Sequence, residues 1–186
     1  MVVEMAGGGD LMGLYTQAKK KDGHEYEFKT GLKVIFGAAK GLAHMHSMPT
    51  PFVHRDVKSG NIMVMGDGAG KLGDCGESRR VDLNSTMTQT GSPLWAAPEL
   101  LAGKRYCEDV DTYSFGAVLY EIAVRELPYE ADMAKLKTQH GKKGAAMMMR
   151  EVAAGRRRPE LAGKARECRK YGIGGAFKKR KLSCYL

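Results

Sequence analysis

Apolar residues recur along this chain mostly at helical spacing, with short strand-like runs confined to its start and middle. In "FKTGLKVIFGAAKGLAHMHS", Leu32, Ile35, Phe36, Ala39, Leu42, Ala43 and Met45 fall three or four apart, which predicts a helix of about 18 residues from Phe28. Pro49 and Pro51 stop it. Val110, Tyr113, Phe115, Val118, Leu119 and Ile122 predict a second long helix from Glu108 to Val124, closed by Pro128. A third covers Gly144 to Ala154 and ends at Gly155. Asp10 suits the N-cap of a short helix ending near Lys20. Met1 to Met5, apolar apart from Glu4 and followed by "AGGG", predicts a short strand and a flexible connection. Apolar runs at Asn61 to Met65 and Lys71 to Leu72, joined by "GDGAG", predict a hairpin. The polar, Lys-rich stretch from Glu130 to Gly144 reads as a loop or insertion, and no periodicity follows Leu161.

These elements fit one domain: 186 residues with 43% hydrophobic and 27% charged content suffice for a single sizeable core. No apolar run approaches the roughly 18 residues of a membrane span. The start lacks the basic flank and apolar stretch of a signal peptide, so an intracellular, cytoplasmic setting is the expectation. Cys75, Cys107, Cys168 and Cys184 lie far apart without a CxxC pair, which suggests neither a zinc site nor a disulfide framework and reads as free thiols. The net charge of +9 is concentrated late, with eleven Lys or Arg between Arg156 and Lys181. The closing "KKRK", Lys178 to Lys181, is read as a solvated tail, with a nuclear address as the sharper alternative. Aromatic interleaving is too sparse there for a nucleic-acid surface.

The chemistry concentrates in "FVHRDVKSGNIMV", Phe52 to Val64, where charged groups stand between apolar anchors. Isolated buried ions are costly, so these charges must meet partners or a cleft. In an extended loop Asp56 and Lys58 point to the same side, setting a carboxylate that can orient a hydroxyl beside an ammonium that can neutralise phosphate. Asn61 adds a hard carbonyl oxygen suited to magnesium. Thirteen positions on, Asp74 in "GDCG" offers a second such ligand, between glycines that permit a tight turn. Alone, Asp74 would be an ordinary turn residue; its spacing from Asn61 favours the metal role. His54 reads as a structural histidine under the loop, and His44 and His46 face different ways on their helix, which argues against a metal pair.

"HRDVKSGN" resembles the catalytic loop of protein kinases, HRD followed by four residues and Asn. Companion segments follow in the family's order. "GDCGE" is similar to the metal-binding segment and "GSPLWAAPEL" to the end of the activation segment. "DVDTYSFGAVLYEIAVRELPYE" resembles the buried organising helix, "MVVEMAGGGDL" the hinge strand, and "REVAAGRRRPEL" a late helix and turn of the tyrosine-kinase-like type. The resemblance runs from Met1 to about Leu161 and implies an α+β protein-kinase-like fold. Residues 1–161 would form a partial catalytic domain, a hinge strand and a mainly helical C-lobe with a short hairpin, and the N-lobe would be largely absent. The stretch 130–144 would be an insertion, and 162–186 a poorly ordered basic tail.

Carried over, the resemblance implies that Asp56 is the catalytic carboxylate, Lys58 the charge stabiliser, and Asn61 and Asp74 the Mg2+ ligands for ATP. Hinge backbone at Met5 and Ala6 would bind adenine, Asp10 would reach the ribose, and Met63 would lie beneath the ring. Ser92 would bridge Asp56 and Lys58, which with Lys58 implies Ser/Thr protein substrates. Asp111 would pin the catalytic loop from the long helix. Arg55 would meet a phosphate placed by an upstream kinase on Ser85, Thr86, Thr88 or Thr90. Glu99 calls for an Arg partner, for which Arg156, Arg157, Arg158 and Arg166 are the candidates.

The chain departs from the family at its start, which falls at the hinge, so that Met1 occupies an interior strand position and the Gly-rich loop, strand Lys and C-helix Glu have no counterpart. Cys75 replaces the usual Phe, which weakens the expected link from the metal segment to the C helix. The rival reading is therefore a non-catalytic, pseudokinase-like C-lobe scaffold. Its uncovered upper face would favour self-association or a partner.

Overall fold

Both long apolar patterns are helices, and the strands and loops that carry the charged residues are packed between them. In a computed structural model, which describes residues 4–20, 28–80 and 91–159, Leu11–Lys20 forms α1 and Phe28–His46 forms α2. The short strands are Phe52–Val53 (β1), Ile62–Val64 (β2), Gly70–Leu72 (β3) and Arg79–Arg80 (β4). Helices Pro98–Leu101 (α3), Asp109–Val124 (α4), Glu130–His140 (α5) and Lys143–Ala153 (α6) follow. The hairpin is present as antiparallel β2 and β3, with Met63 opposite Lys71. A second antiparallel pair, β1 with β4, joins segments distant in sequence; strands of two residues carry too little pattern to be read in advance.

The main core lies where α1, α2, β2 and α4 meet, through Leu11, Tyr15, Val34, Ile35, Leu42, Ile62, Val64, Val118 and Ile122. Tyr120, Glu121, Ile122 and Ala123 are all buried in succession, so the C-terminal part of α4 is enclosed rather than amphipathic, while Thr112 near its start is exposed. The hairpin lies directly against α2: a Cβ on Gly70 would stand 1.9 Å from the Val34 carbonyl oxygen. Only glycine permits that approach.

Two expectations are corrected. Within Met1 to Met5, residues 1–3 lie outside the described residues, and Glu4 and Met5 form no strand. A strand needs a partner ladder, whereas the described backbone bonds to β2 come after Met5, from Gly8 N–H to the Val64 carbonyl (2.9 Å) and from Val64 N–H to the Gly9 carbonyl (2.8 Å). The supposed loop from Glu130 to Gly144 contains α5. Its surface is mostly polar, so it shows little apolar period, but Glu130 and Asp132 in the first turn and Lys137 and His140 in the last complement the helix dipole. Met133 and Leu136 pack against a small core of Tyr129, Met148 and Val152. The tail 162–186 lies outside the described residues.

Gly70→Ala is expected to destabilise the protein by about 2 kcal/mol or more, because backbone must move to admit the methyl group. Gly7→Ala, with open space around its Cβ, should be near neutral in the same denaturant titration.

Candidate active site

The loop after β1 is held from below by α4. Asp111, 0% exposed, accepts the backbone N–H of His54 at 2.7 Å on Oδ2 and that of Arg55 at 2.8 Å on Oδ1. His46 Nε2 lies 2.9 Å from the same Oδ2. This carboxylate holds Arg55 in a left-handed conformation, φ 68°, which costs a non-glycine residue about 1 kcal/mol. His54, fully buried, accepts the Asp56 N–H on Nδ1 and donates from Nε2 to the Gly73 carbonyl at 3.0 Å. Both ring nitrogens are therefore engaged beneath the loop.

That loop brings the predicted polar residues together. Lys58 Nζ donates to Asp56 Oδ2 at 2.7 Å and to Ser92 Oγ at 2.8 Å. Asn61 Nδ2 donates to Asp56 Oδ2 at 2.9 Å and to the Asp56 carbonyl at 2.8 Å. Burial pushes the Asp56 carboxyl up, but the hydrogen bonds from Lys58 and Asn61, the Lys58 charge and the nearby Ser92 hydroxyl outweigh it and hold the group below its ordinary value. Asp56 Oδ1 is buried and has no hydrogen-bond partner among the described residues. Gly91 closes over this point: at φ +84° its Cβ would stand 2.3 Å from the Arg55 carbonyl oxygen and 3.4 Å from Asp56 Oδ1.

Asp74 is drawn toward Asn61 by the Gly73 N–H, which donates to the Asn61 carbonyl at 2.8 Å. It is exposed, left-handed at φ 53°, and its Oδ1 accepts the Gly76 N–H at 3.3 Å. Because the Asn61 NH2 is committed to Asp56 and one Asp74 oxygen to its own turn, the Asn61 Oδ1 and the second Asp74 oxygen remain as hard donors of the kind magnesium takes. Cys75 beside them is exposed. On the other side of β2, Asp10 bridges to Met63, which brings together two of the predicted nucleotide neighbours. Asp10 also caps α1, accepting the Gly13 N–H at 2.8 Å. Met5 is 86% exposed, and the Ala6 carbonyl accepts the Gly9 N–H.

Arg55 Nε donates to the Glu77 carbonyl at 2.5 Å and Nη1 to the Tyr106 hydroxyl at 3.2 Å. Ser85, Thr86, Thr88 and Thr90 lie outside the described residues. Glu99 acquires none of its described candidate partners: Arg156 binds Glu151, Arg157 pairs with Asp132 at 2.8 Å, and the Arg158 guanidinium lies 5.8 Å from the Tyr113 ring centroid. Arg166 lies outside the described residues.

The sequence reading missed Glu121. It is 0% exposed and accepts from Tyr15 Oη at 2.6 Å, Ser59 Oγ at 2.9 Å and Trp95 Nε1 at 2.6 Å. Its signal was present, an acid inside the apolar run "AVLYEIAV", because such a group must be hydrogen-bonded to be buried. The role of His46 was missed for a similar reason, since its acceptor is 65 positions away.

The family description "Protein kinase domain" matches residues 1–170. A serine/threonine-protein kinase/receptor of Acanthamoeba polyphaga mimivirus is 38% identical over 118 residues, 63% of this chain and 7% of that protein. The Dictyostelium discoideum serine/threonine-protein kinase drkA is 41% identical over 98 residues, 53% of this chain and 15% of that protein. A LIM domain-containing serine/threonine-protein kinase of the same organism is 37% identical over 130 residues, 69% of this chain and 19% of that protein. The chain thus spans under a fifth of the length of each of these relatives. Among the described residues, no helix is long and apolar enough to cross a membrane.

Burial pushes the Glu121 carboxyl up, against the opposing hydrogen bonds from Tyr15, Trp95 and Ser59. A raised folded-state pKa makes its stabilising contribution full below the unfolded value and lost as pH rises through the folded one. Glu121→Gln removes this titration. The stability of the wild type relative to that variant is therefore expected to fall with rising pH above the ordinary Glu range, in denaturant unfolding at several pH values. A pH-independent difference would contradict the burial effect.

Proposed function

Since the chain belongs to the protein kinase family, we propose that it transfers the γ-phosphoryl group of ATP to Ser or Thr hydroxyls of protein substrates. The observation that carries this reading is the asymmetry of Asp56, with Oδ2 held by Lys58 and Asn61 and Oδ1 buried without a partner among the described residues. An unpaired buried carboxylate oxygen is unfavourable. A substrate hydroxyl donating to Oδ1 would relieve that cost and be oriented by it.

With its pKa held down, Asp56 is ionised at neutral pH and available as the acceptor of the hydroxyl proton. Lys58 places positive charge beside the transferred group. Ser92 fixes the Lys58 ammonium from the activation-segment side. Asn61 and Asp74 would hold magnesium, which when bound supplies charge neutralisation at the phosphates. The Ser/Thr assignment rests on Lys58 and Ser92 and on the names of the relatives.

A second reading is a scaffold that binds protein partners without transferring phosphate. Asp74 favours it, being exposed with one oxygen committed to its own turn.

Calorimetry with ATP and magnesium, beside Asp74→Ala, separates the two. Under the kinase reading ATP binding requires magnesium and is lost in the variant; absence of binding to the 186-residue chain supports the scaffold. Where phosphate transfer is measured, Asp56→Asn is expected to lower the rate by about 100-fold or more. Gly91→Ala should reduce it at least about tenfold by displacing the Arg55 carbonyl. Wild-type rates in either variant would overturn the roles given to these positions.

A further inference from the structure

Glu121 lies beneath the contact between the two segments that make the site. One of its donors, Ser59, directly follows Lys58; another, Trp95, is three residues after Ser92. Lys58 and Ser92 are themselves joined at 2.8 Å. The backbone carries the attachment the rest of the way: Trp95 N–H and Ala96 N–H both donate to the Ser92 carbonyl, at 3.1 and 3.2 Å. On the other segment, Asn61 N–H donates to the Lys58 carbonyl at 3.0 Å. The third donor, Tyr15, adds α1, the helix that begins at the Asp10 cap.

We infer that Glu121 is a positioning residue that locks the activation-segment turn carrying Ser92 to the catalytic loop carrying Lys58, and so sets the Lys58, Ser92 and Asp56 contact. Its two oxygens divide the work, with Oε1 taking Tyr15 and Ser59 and Oε2 taking Trp95. Both oxygens are hydrogen-bonded within the protein and the residue has no exposure, so it acts through these donors rather than on a substrate. The hydroxyls of Tyr15 and Ser59 can reverse and accept, whereas the Trp95 N–H can only donate. A glutamine amide can therefore keep all three bonds, its oxygen toward Trp95 and its NH2 toward the hydroxyls, whereas an apolar side chain keeps none.

The importance of the contact for transfer rests on the proposed kinase reading, but the lock itself can be read without it. Amide hydrogen exchange is measured on the 186-residue chain, together with the indole N–H resonance of Trp95, its only tryptophan. Glu121→Leu is expected to speed exchange at Trp95, Ala96 and Asn61 by about tenfold or more and to shift the indole resonance. Amides within α6, on a separate core cluster, should be unaffected. Glu121→Gln should restore slow exchange at all three amides. Unchanged exchange in Glu121→Leu, an equal rise throughout α6, or failure of Glu121→Gln to restore protection would each overturn the inference. Should Glu121→Leu not fold, Trp95→Phe removes a single donor: faster exchange at Asn61, across the network, supports the lock, and an unchanged Asn61 overturns it. None of these readings needs phosphate transfer, so a chain that transfers none would sink the proposed function and leave this test standing.

Discussion

A carboxylate with no exposure, Asp111, supports everything above it. Buried unpaired, it would cost several kcal/mol; with the His54 and Arg55 N–H groups and the His46 imidazole around it, the cost becomes a constraint. In the conformation that gives both N–H groups to Asp111, Arg55 takes a left-handed φ. Strain of this kind persists only where surrounding bonds over-determine it. Here the same residue that is strained also bonds the Glu77 carbonyl and the Tyr106 hydroxyl, so the loop is fixed from α4 and from the segment beyond the hairpin.

Glu121 repeats the device further along the same helix. Ten residues of α-helix separate the two acids by roughly 15 Å along the axis and 80° around it. Asp111 takes the beginning of the loop at His54 and Arg55, and Glu121 takes its end at Ser59. The charged residues between them hang from two fixed points on one buried rod. Both acids, and the stretch from Tyr120 to Ala123, are buried, so the helix that carries the two anchor points is itself held by the core. The apolar patterning and the polar chemistry of this chain are in this sense one feature.

What the sequence disclosed follows from the range of each interaction. The helices α1, α2, α4 and α6 and the β2–β3 hairpin are written in local spacing, and the grouping of Asp56, Lys58 and Asn61 follows from one short loop. Ser92 at Lys58 and Asp111 under the loop were legible through resemblance to a family whose segments occur in fixed order, not through spacing. Helix α5 escaped because a solvent-facing helix needs few apolar positions, and β1 with β4 escaped because two-residue strands exist only by pairing. His46 and Glu121 escaped because a residue's type reveals that it needs partners, while their identity depends on the tertiary fold. An acid within an apolar helix was still a readable demand for donors.

The general rule that buried polar groups are paired is kept at Asp111, Glu121 and His54, each of which has its partners. Among the described residues it is broken for one buried side-chain atom, Asp56 Oδ1. Everything surrounding that atom is immobilised: Oδ2 by Lys58 and Asn61, the backbone by His54, and the approach by Gly91. A mobile loop would turn such an oxygen toward water and lose the site's polarity. A loop fixed at both ends keeps it aimed, with the reorganisation cost already met in folding. The departure from local consistency thus coincides with the place where chemistry is expected, and the two buried carboxylates of α4 are what make that departure sustainable.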